Sequence, residues 1–518
     1  MHIYLAKRPM FRKVRILLIP MLNSGNFRET SSKHYDLKIF IVGRRGGGRN
    51  RGQAFFEESS ARKGLPASKR AAIALWPHNE RPGSDRQRAS GKDKGMFDTG
   101  STGFMIICTM LVLLMTPGVA FFYGGLARRK NVVNTMMMPM AVVGIVAITW
   151  IVCGWSFAYG GDGSNPVFGG FDQLLCIGSV NEMIAEAADV PVDAVYPSIV
   201  DICFQMAFAM ITTAIICGSV AGRMKFGAMV TFCTIWSICV YPILAHMVWG
   251  GDGSLIGDII GAIDFAGGDV VHISSGTTGL VLCLLLGKRK GYGAMNYRSH
   301  NVPFVLLGAT LLWFGWFGFN GGSEFAADGT AALAVLNTAV SSGAALASWM
   351  AVEKIKQGES TLVGACTGLV AGLVVITPAA GFVEPWAALI MGLIVSPICY
   401  FCISFLKAKI GYDDALDAFG CHAVGGIVGG ILTGIFAVPE LSWTAPGLIY
   451  SGDPTLLISQ ILGILITLAF VIVMDLIIGL IVKAIFHGSL RVSDEEESVG
   501  LDVSEHGESA YPAFNGMD

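Results

Sequence analysis

Long apolar runs alternate with short polar breaks from residue 102 onward, and eleven runs have the length of membrane-spanning helices: 102–125, 136–160, 197–221, 226–249, 270–287, 301–320, 331–352, 361–380, 386–406, 418–438 and 457–486. A helix rises 1.5 Å per residue, so about 20 residues cross the roughly 30 Å of hydrocarbon in a bilayer. The shorter runs reach across with interfacial residues at their ends. The pattern predicts an all-α polytopic membrane protein with eleven transmembrane helices.

The polar positions orient that array. All fifteen Lys and Arg beyond residue 96 fall after an odd-numbered run, among them Arg128, Arg129, Lys130, Arg223, Lys225, Lys288, Arg289, Lys290, Lys407, Lys409 and Arg491. The loops on the other side carry acids without bases, as at Asp162, Asp172, Glu182, Glu186, Asp189 and Asp193. Basic loops stay in the cytoplasm. The reading is a multi-pass protein of the cell membrane, its amino end outside and its carboxyl end inside.

An internal repeat sharpens the architecture. Run 1 ends FFYGGL (121–126) and run 6 ends GFNGGS (318–323), while runs 5 and 10 both open on an Asp/Gly/His pattern. An odd number of spans per half inverts the topology, so the economical fold is two inverted five-helix repeats plus an eleventh helix, with a site at their interface near the midplane. Glycine ladders at Gly364, Gly368 and Gly372, and at Gly426, Gly430 and Gly434, let helices approach closely.

Composition agrees: the 518 residues are 53% hydrophobic and 14% charged, against roughly 25% charged in soluble domains. Most of the twelve cysteines lie inside apolar runs, as at Cys153, Cys217, Cys283 and Cys366, and read as small buried hydrophobes rather than a disulfide framework. CYFC at 399–402 is a weak metal or redox signal inside a membrane-like run. No metal, no cofactor and no enzymatic activity are expected. Residues 1–95 differ from the rest, with 21 Lys and Arg against 7 Asp and Glu, a net of +14. Solvated disorder accounts for that composition better than contact with anionic lipid or RNA. Exporting it would run against the charge rule, which favours a native start near Met96. The expected organisation is a disordered or non-native basic extension at 1–95, a membrane domain at 96–486 and an acidic cytoplasmic tail at 487–518.

The candidate chemistry centres on two histidines. IDFAGGDVVHISSGTTGL (263–280) puts Asp264 eight residues before His272, and LDAFGCHAVGGIVGG (416–430) puts Asp417 and Gly420 before His422. Ionisable groups inside a membrane are costly and rare, and are functional candidates by default. His272 lies 16 residues before Lys288 and His422 16 residues before Val438, about 24 Å along each helix. Both imidazoles fall near the midplane, and the spacing permits them to meet. Three further clusters accompany them: CFQMAF (203–208), AHMVWGGDG (245–253) and WFGFNGGS (316–323). Taken singly, Trp249 reads as an interfacial belt residue, Phe208 and Phe319 as packing, and Asp264 as a helix cap. His246 and His300 are given no role.

Taken together, FYGGL, RRKNV, AHMVWGG, DFAGG-x-VVHI, WFGFN-x-GS, GACTGLVAGLV and D-x-FG-x-H resemble the ammonium transporter family (Amt/Mep/Rh), over about 96–514. The resemblance implies an outer ammonium-recruiting site of Trp249, Phe208 and Ser323 beside the carbonyl of Ala266, with Asp264 as the buried carboxylate that orders it. It implies a stacked gate of Phe208 and Phe319, and a pore lined by the twin histidines His272 and His422. The partners it implies are ammonium or ammonia (with methylammonium as an analogue), membrane lipid, two further copies in a homotrimer, and a PII-type regulatory protein at the tail motif GLDVSEHGESAY (500–511). No nucleic acid is among them. The alternative function is an ammonium sensor or receptor that signals through its cytoplasmic tail. A third reading, a haem-binding oxidoreductase with the two histidines as axial ligands, lacks any other cofactor motif.

Overall fold

The computed structural model describes residues 96–191, 194–294 and 297–511. The basic stretch 1–95, Asp193 and the last seven tail residues fall outside the described residues. Among the described residues there is no β-strand, only an isolated bridge between Met224 and Arg491.

Among the described residues, eleven helices are long and apolar enough to cross a bilayer: α1 (Thr99–Leu126), α2 (Arg129–Tyr159), α3 (Ile199–Val220), α4 (Phe226–Trp249), α5 (Gly268–Leu286), α6 (Val302–Gly322), α7 (Gly329–Gln357), α8 (Leu362–Ala379), α9 (Pro385–Ile410), α10 (Phe419–Phe436) and α11 (Thr455–Ile485). Each predicted span is present. The ends shift where the pattern carried no stop signal. α2 begins at Arg129 because a 3-10 turn over Arg129–Asn131 feeds directly into the helix. α9 passes the expected end at 406 through a π-helical turn, Cys402–Leu406, and stops at Ile410.

Short polar side chains start several of these helices. Asp98 accepts from the N–H groups of Gly100 and Ser101, Asn301 from Phe304, Asp328 from Thr330 and Ala331, and Thr361 from Gly364. Each satisfies N–H groups that the helix itself cannot.

The helices form two five-helix halves, α1–α5 and α6–α10. Successive spans reverse direction, so the second half enters from the opposite face. α1 packs along α6, α5 meets α10 at the centre, and α11 lies along α4, α5 and α10. The expected ladder on α8 meets α7, where Gly372 lies against Ala345 and Ser341. The inward face of α11 mixes aliphatic side chains, Leu456, Ile464, Val471 and Ile478, with the polar or small Ser459, Gln460, Gly463 and Thr467, whereas Leu462, Leu465, Val473 and Leu480 are exposed. That one-sided exposure is what a helix at the lipid boundary requires.

The basic loops gather at one face, where the tail is seated. Two short helices, α12 (Asp494–Val499) and α13 (Leu501–His506), follow α11, and α12 opens with a reciprocal capping box between Ser493 and Glu496. Asp502 accepts from the N–H groups of Val132 (3.0 Å) and Asn134 (2.9 Å), so the tail caps α2. Buried Glu497 accepts from the Lys290 N–H at 2.7 Å and pairs with Arg491 at 2.5 Å. Nearby, Arg289 clasps Asp413 through Nε and Nη2 at 2.6–3.1 Å. Burial pushes the Asp413 carboxyl up, but the hydrogen bonds and charge of Arg289 outweigh it and hold it below the usual carboxylate range. The clasp therefore keeps its full contribution above the ordinary value of about 3.9, and loses it only as pH falls through the lower folded value.

Replacing Asp502 with Ala strips the acceptor from two backbone N–H groups, each costing about 1–3 kcal/mol when left unpaired. We expect Asp502→Ala to leave the eleven helices in place while α12 and α13 become sensitive to limited proteolysis. Digestion at the wild-type rate would show that the tail is held by other contacts.

Candidate functional site

The site is a file of rings running inward from the acidic face. Trp249 ends α4, and its Nε1 donates to the carbonyl of Asp264 at 2.9 Å. The Trp249 ring meets the edge of Phe208 on α3, with centroids 6.2 Å apart at 80°. Phe208 stacks on Phe319 of α6 at 4.1 Å and 15°. Beyond Phe319 lies His272, with centroids 6.1 Å apart, and beyond His272 lies His422 at 5.3 Å. Five of the eight residues singled out from the sequence thus form one line, contributed by α3, α4, α5, α6 and α10.

The other three surround its outer end. Asp264 is buried at the start of α5, and its carboxylate accepts from the N–H groups of Gly267, Gly268, Asp269 and Val270 at 2.8, 2.6, 2.8 and 3.4 Å. It therefore caps α5 with its side chain while its main chain holds Trp249. Ala266 lies inside that capped loop, fully buried. Ser323 sits one turn beyond Phe319 and donates its hydroxyl to the Phe319 carbonyl at 2.9 Å, leaving its oxygen lone pairs free to accept.

The two histidines touch through Nδ1 and Nδ1, 3.3 Å apart. A hydrogen bond between two like nitrogens needs one proton, not two. For a neutral pair, one ring then carries Nδ1–H and presents a bare Nε2, and the other presents Nε2–H. The Nε2 of His272 has no hydrogen-bond partner among the described residues. Both rings line an otherwise apolar cavity walled by Tyr123, Ile215, Leu312, Trp316 and Val370.

Two local features bring the imidazoles together. Each histidine lies in a π-helical turn, Gly268–Ile273 in α5 and Phe419–Ala423 in α10. Such single-turn widenings re-aim a side chain out of the regular helical register. The backbones also approach without side chains between them. A Cβ on Gly276 would lie 2.4 Å from the Ala423 nitrogen, and one on Gly426 would lie 2.9 Å from Ile273 and 3.0 Å from the Gly268 carbonyl.

The Asp/Gly/His likeness of the two halves stops at the caps. Asp417 adopts a left-handed conformation (φ 62°) and pairs with Lys407. The N–H of Phe419 is capped instead by Asp414, at 2.8 Å. Several residues of the site carried no separate reading in the sequence. Trp316 stacks on His272 at 5.3 Å and is fixed by its Nε1 bond to Thr377 (3.0 Å). Its place three residues before Phe319 puts it on the same helical face one turn inward. Gln460 of α11 grips the loop before Asp264, accepting from the Ile263 N–H at 2.6 Å and donating to its carbonyl at 2.9 Å. An isolated glutamine in a long apolar run was the available signal. His246 lies with its ring nitrogens 2.8 Å from the carbonyls of Ala158 and Asn165, tying α4 to the end of α2 and the loop after it. His300 contacts the Ala127 carbonyl and Tyr511 of the tail.

A model of the Ammonium Transporter Family matches residues 103–511. The chain is 47% identical over 415 residues to the ammonium transporter of Aquifex aeolicus, covering 80% of this chain and 94% of that one. It is 46% identical over 413 residues to the ammonium transporter of Bacillus subtilis, covering 80% and 98%. Among solved structures it resembles Saccharomyces cerevisiae Mep2, with a TM-score of 0.69, 31% identity, and coverage of 77% of this chain and 91% of that one.

The close backbone approach at Gly276 is directly testable. Gly276→Ala forces a methyl group onto the Ala423 nitrogen, and overpacking of this kind costs about 1–3 kcal/mol. Gly103→Ala, with open space around its Cβ on α1, is the control. We expect a lower melting temperature for the first variant alone. Equal melting of the two would mean that α5 and α10 have slack where the histidines meet.

Proposed function

The chain belongs to the ammonium transporter family, and we propose that it recruits ammonium at the outer aromatic site, deprotonates it and conducts ammonia through the twin-histidine pore. The observation that carries this reading is the unbroken file Trp249, Phe208, Phe319, His272 and His422. An aromatic face attracts a cation by about 0.5–2 kcal/mol, most strongly for Trp. At the outer end Trp249 supplies that face, Ser323 an acceptor for an N–H, and Asp264 the cap that keeps the loop and Trp249 in register. The carboxylate of Asp264 is already occupied by four backbone N–H groups, so its part is to position, not to bind.

Phe208 and Phe319 close the way inward by stacking. Past them the walls are apolar, and carrying an ammonium-sized ion into such a medium costs several kcal/mol even after relaxation. Burial disfavours the charged form, so losing the proton near the gate is the cheaper route. Neutral ammonia then meets one Nε2 that accepts and one Nε2–H that donates. Within this cavity the Nδ1–Nδ1 contact is also where a proton can be handed from ring to ring, whether or not it follows the ammonia.

The charge distribution supports an orientation with the basic face in the cytoplasm and the recruiting site outside. Family resemblance supports a homotrimer, a surrounding of membrane lipid, and a PII-type regulator meeting the cytoplasmic face where α12 and α13 are seated. Orientation is checked by cysteine accessibility. A cysteine placed near Gly163 should label from outside and one near Gly291 only from the cytoplasm, and the reverse pattern would refute the assignment.

For the pore, His272→Ala and His422→Ala should each keep near-normal expression but suppress the current that ammonium drives in proteoliposomes. A thermal melt is needed alongside, because an unpaired buried imidazole costs about 1–3 kcal/mol. Glu or Asp at either position restores a titratable group that favours cations, so current should return with lost selectivity, potassium entering first. Native currents with native selectivity in both Ala variants would reduce the histidines to packing.

A further inference from the structure

At the basic end, α3 and α4 are joined by the short loop Ala221–Lys225, and three sulfur atoms meet directly beneath it. Cys217 lies in the last turn of α3, and Met229 and Cys233 lie one turn apart on α4. The Met229 thioether is 4.0 Å from the Cys217 thiol and 3.6 Å from the Cys233 thiol. All three side chains are buried, and both cysteines are free.

We propose that Cys217, Met229 and Cys233 form a binding site for a soft monovalent d10 cation, Cu(I). Thiolate and thioether ligands select Cu(I) over harder ions. A metal–thiolate bond to a first-row d10 ion is roughly 2.3 Å, and a trigonal set built on such bonds has corners about 4 Å apart. The two separations from Met229, 3.6 and 4.0 Å, already have nearly that size, so an ion enters among the three sulfurs with little movement of either helix. Zinc is poorly served. Among the described residues no group of three His, Cys, Asp or Glu is placed to hold a metal ion, and a tetrahedral site needs a fourth ligand.

Charge favours the same ion. When Cu(I) binds, one thiol gives up its proton to solvent and forms a copper–thiolate bond, while the second thiol and the thioether donate lone pairs. The product is neutral, as an apolar setting demands. A divalent ion would leave a charge behind unless both thiols lost their protons. The charge placement assigns this end to the cytoplasm, a reducing compartment that keeps both thiols free. The ion would brace α3 against α4 where the tail is attached, since the Lys225 N–H donates to the Leu490 carbonyl and the Phe226 N–H to Glu505.

The test uses the full-length protein, reduced and anaerobic in detergent, with Cu(I) delivered from a competing chromophoric chelator. We expect one equivalent to bind with release of one proton, a three-sulfur shell in X-ray absorption, and a raised melting temperature. Cys217→Ala and Cys233→Ala should weaken binding by roughly 100-fold or more, beyond what loss of an outer partner of a metal costs. Met229→Leu conserves volume and tests the site without disturbing the fold; it should leave a two-sulfur shell and weaker binding. Failure of the wild type to take copper from the chelator would overturn the proposal. So would an unchanged sulfur shell and affinity in Met229→Leu and Cys233→Ala.

Discussion

Two imidazoles meet at the centre of this fold, in a medium that tolerates almost no polarity. His272 and His422 come from different halves of the fold and share one Nδ1–Nδ1 contact of 3.3 Å. For that contact to form, α5 and α10 must approach until the Gly276 and Gly426 positions admit no side chain, and both helices must open by a π turn at the histidine. Each helix sacrifices regular hydrogen bonding there, which is tolerable in a membrane only because protein surrounds the opening on every side. An inverted repeat supplies that enclosure. It sets two like segments head to head at the centre, so one structural device serves both rings.

The halves are nevertheless unequal in function, and the inequality lies at the helix starts. At α5 the cap is Asp264, whose carboxylate takes four N–H groups and whose carbonyl holds the Trp249 indole. The capping bond is thereby coupled to the aromatic face offered to a cation. At α10 the work is divided: Asp414 caps, and Asp417 is bound by Lys407 at the basic face. A bare carboxylate at the outer mouth would hold ammonium in place; one consumed by backbone N–H groups shapes the mouth without trapping the ion. In the mechanism proposed above, release inward falls to the stacked phenylalanines and the apolar wall behind them, which would admit the neutral form at far lower cost than the cation.

Much of this was legible in the sequence, for reasons that can be named. Membrane spans are readable because a bilayer demands about 20 apolar residues in a row, and α1 to α11 supplied them. The twin histidines stood out because an imidazole heading an apolar run is rare, and their depths followed from helical rise alone. The ring file was not readable from spacing, because Phe208, Trp249 and Phe319 lie on three helices and only packing sets their order; family resemblance supplied those residues. Trp316 was hidden within a motif already read for Phe319, and Gln460 was hidden because one polar residue in a long span has many uses. The division of labour between Asp414 and Asp417 was misleading in sequence. Two adjacent acids and a third three residues on give a pattern that matches the α5 motif at Asp417, while backbone geometry assigns the cap to Asp414.

The seating of the tail shows how events at the basic face can bear on the pore. Its bonds go to the first turns of α2, just past the α1–α2 loop, through Asn131, Val132 and Asn134, to the α3–α4 loop through Lys225 and Phe226, and to the α5–α6 loop through Lys290, His300 and Asn301. The first two loops lie within the first half, and the third connects the halves. The second half, which carries His422, is joined to this assembly where His300 and Asn301, at the start of α6, meet Tyr511 of the tail, and where Arg289 and Arg223 reach Asp413 just before α10. Six residues later, Phe419 begins the π turn that holds His422. A displacement of the tail therefore acts first on these loops and on the start of α2. It reaches the second imidazole through a buried, charge-paired contact that transmits position better than an exposed one, because neither partner can exchange the other for water without large cost.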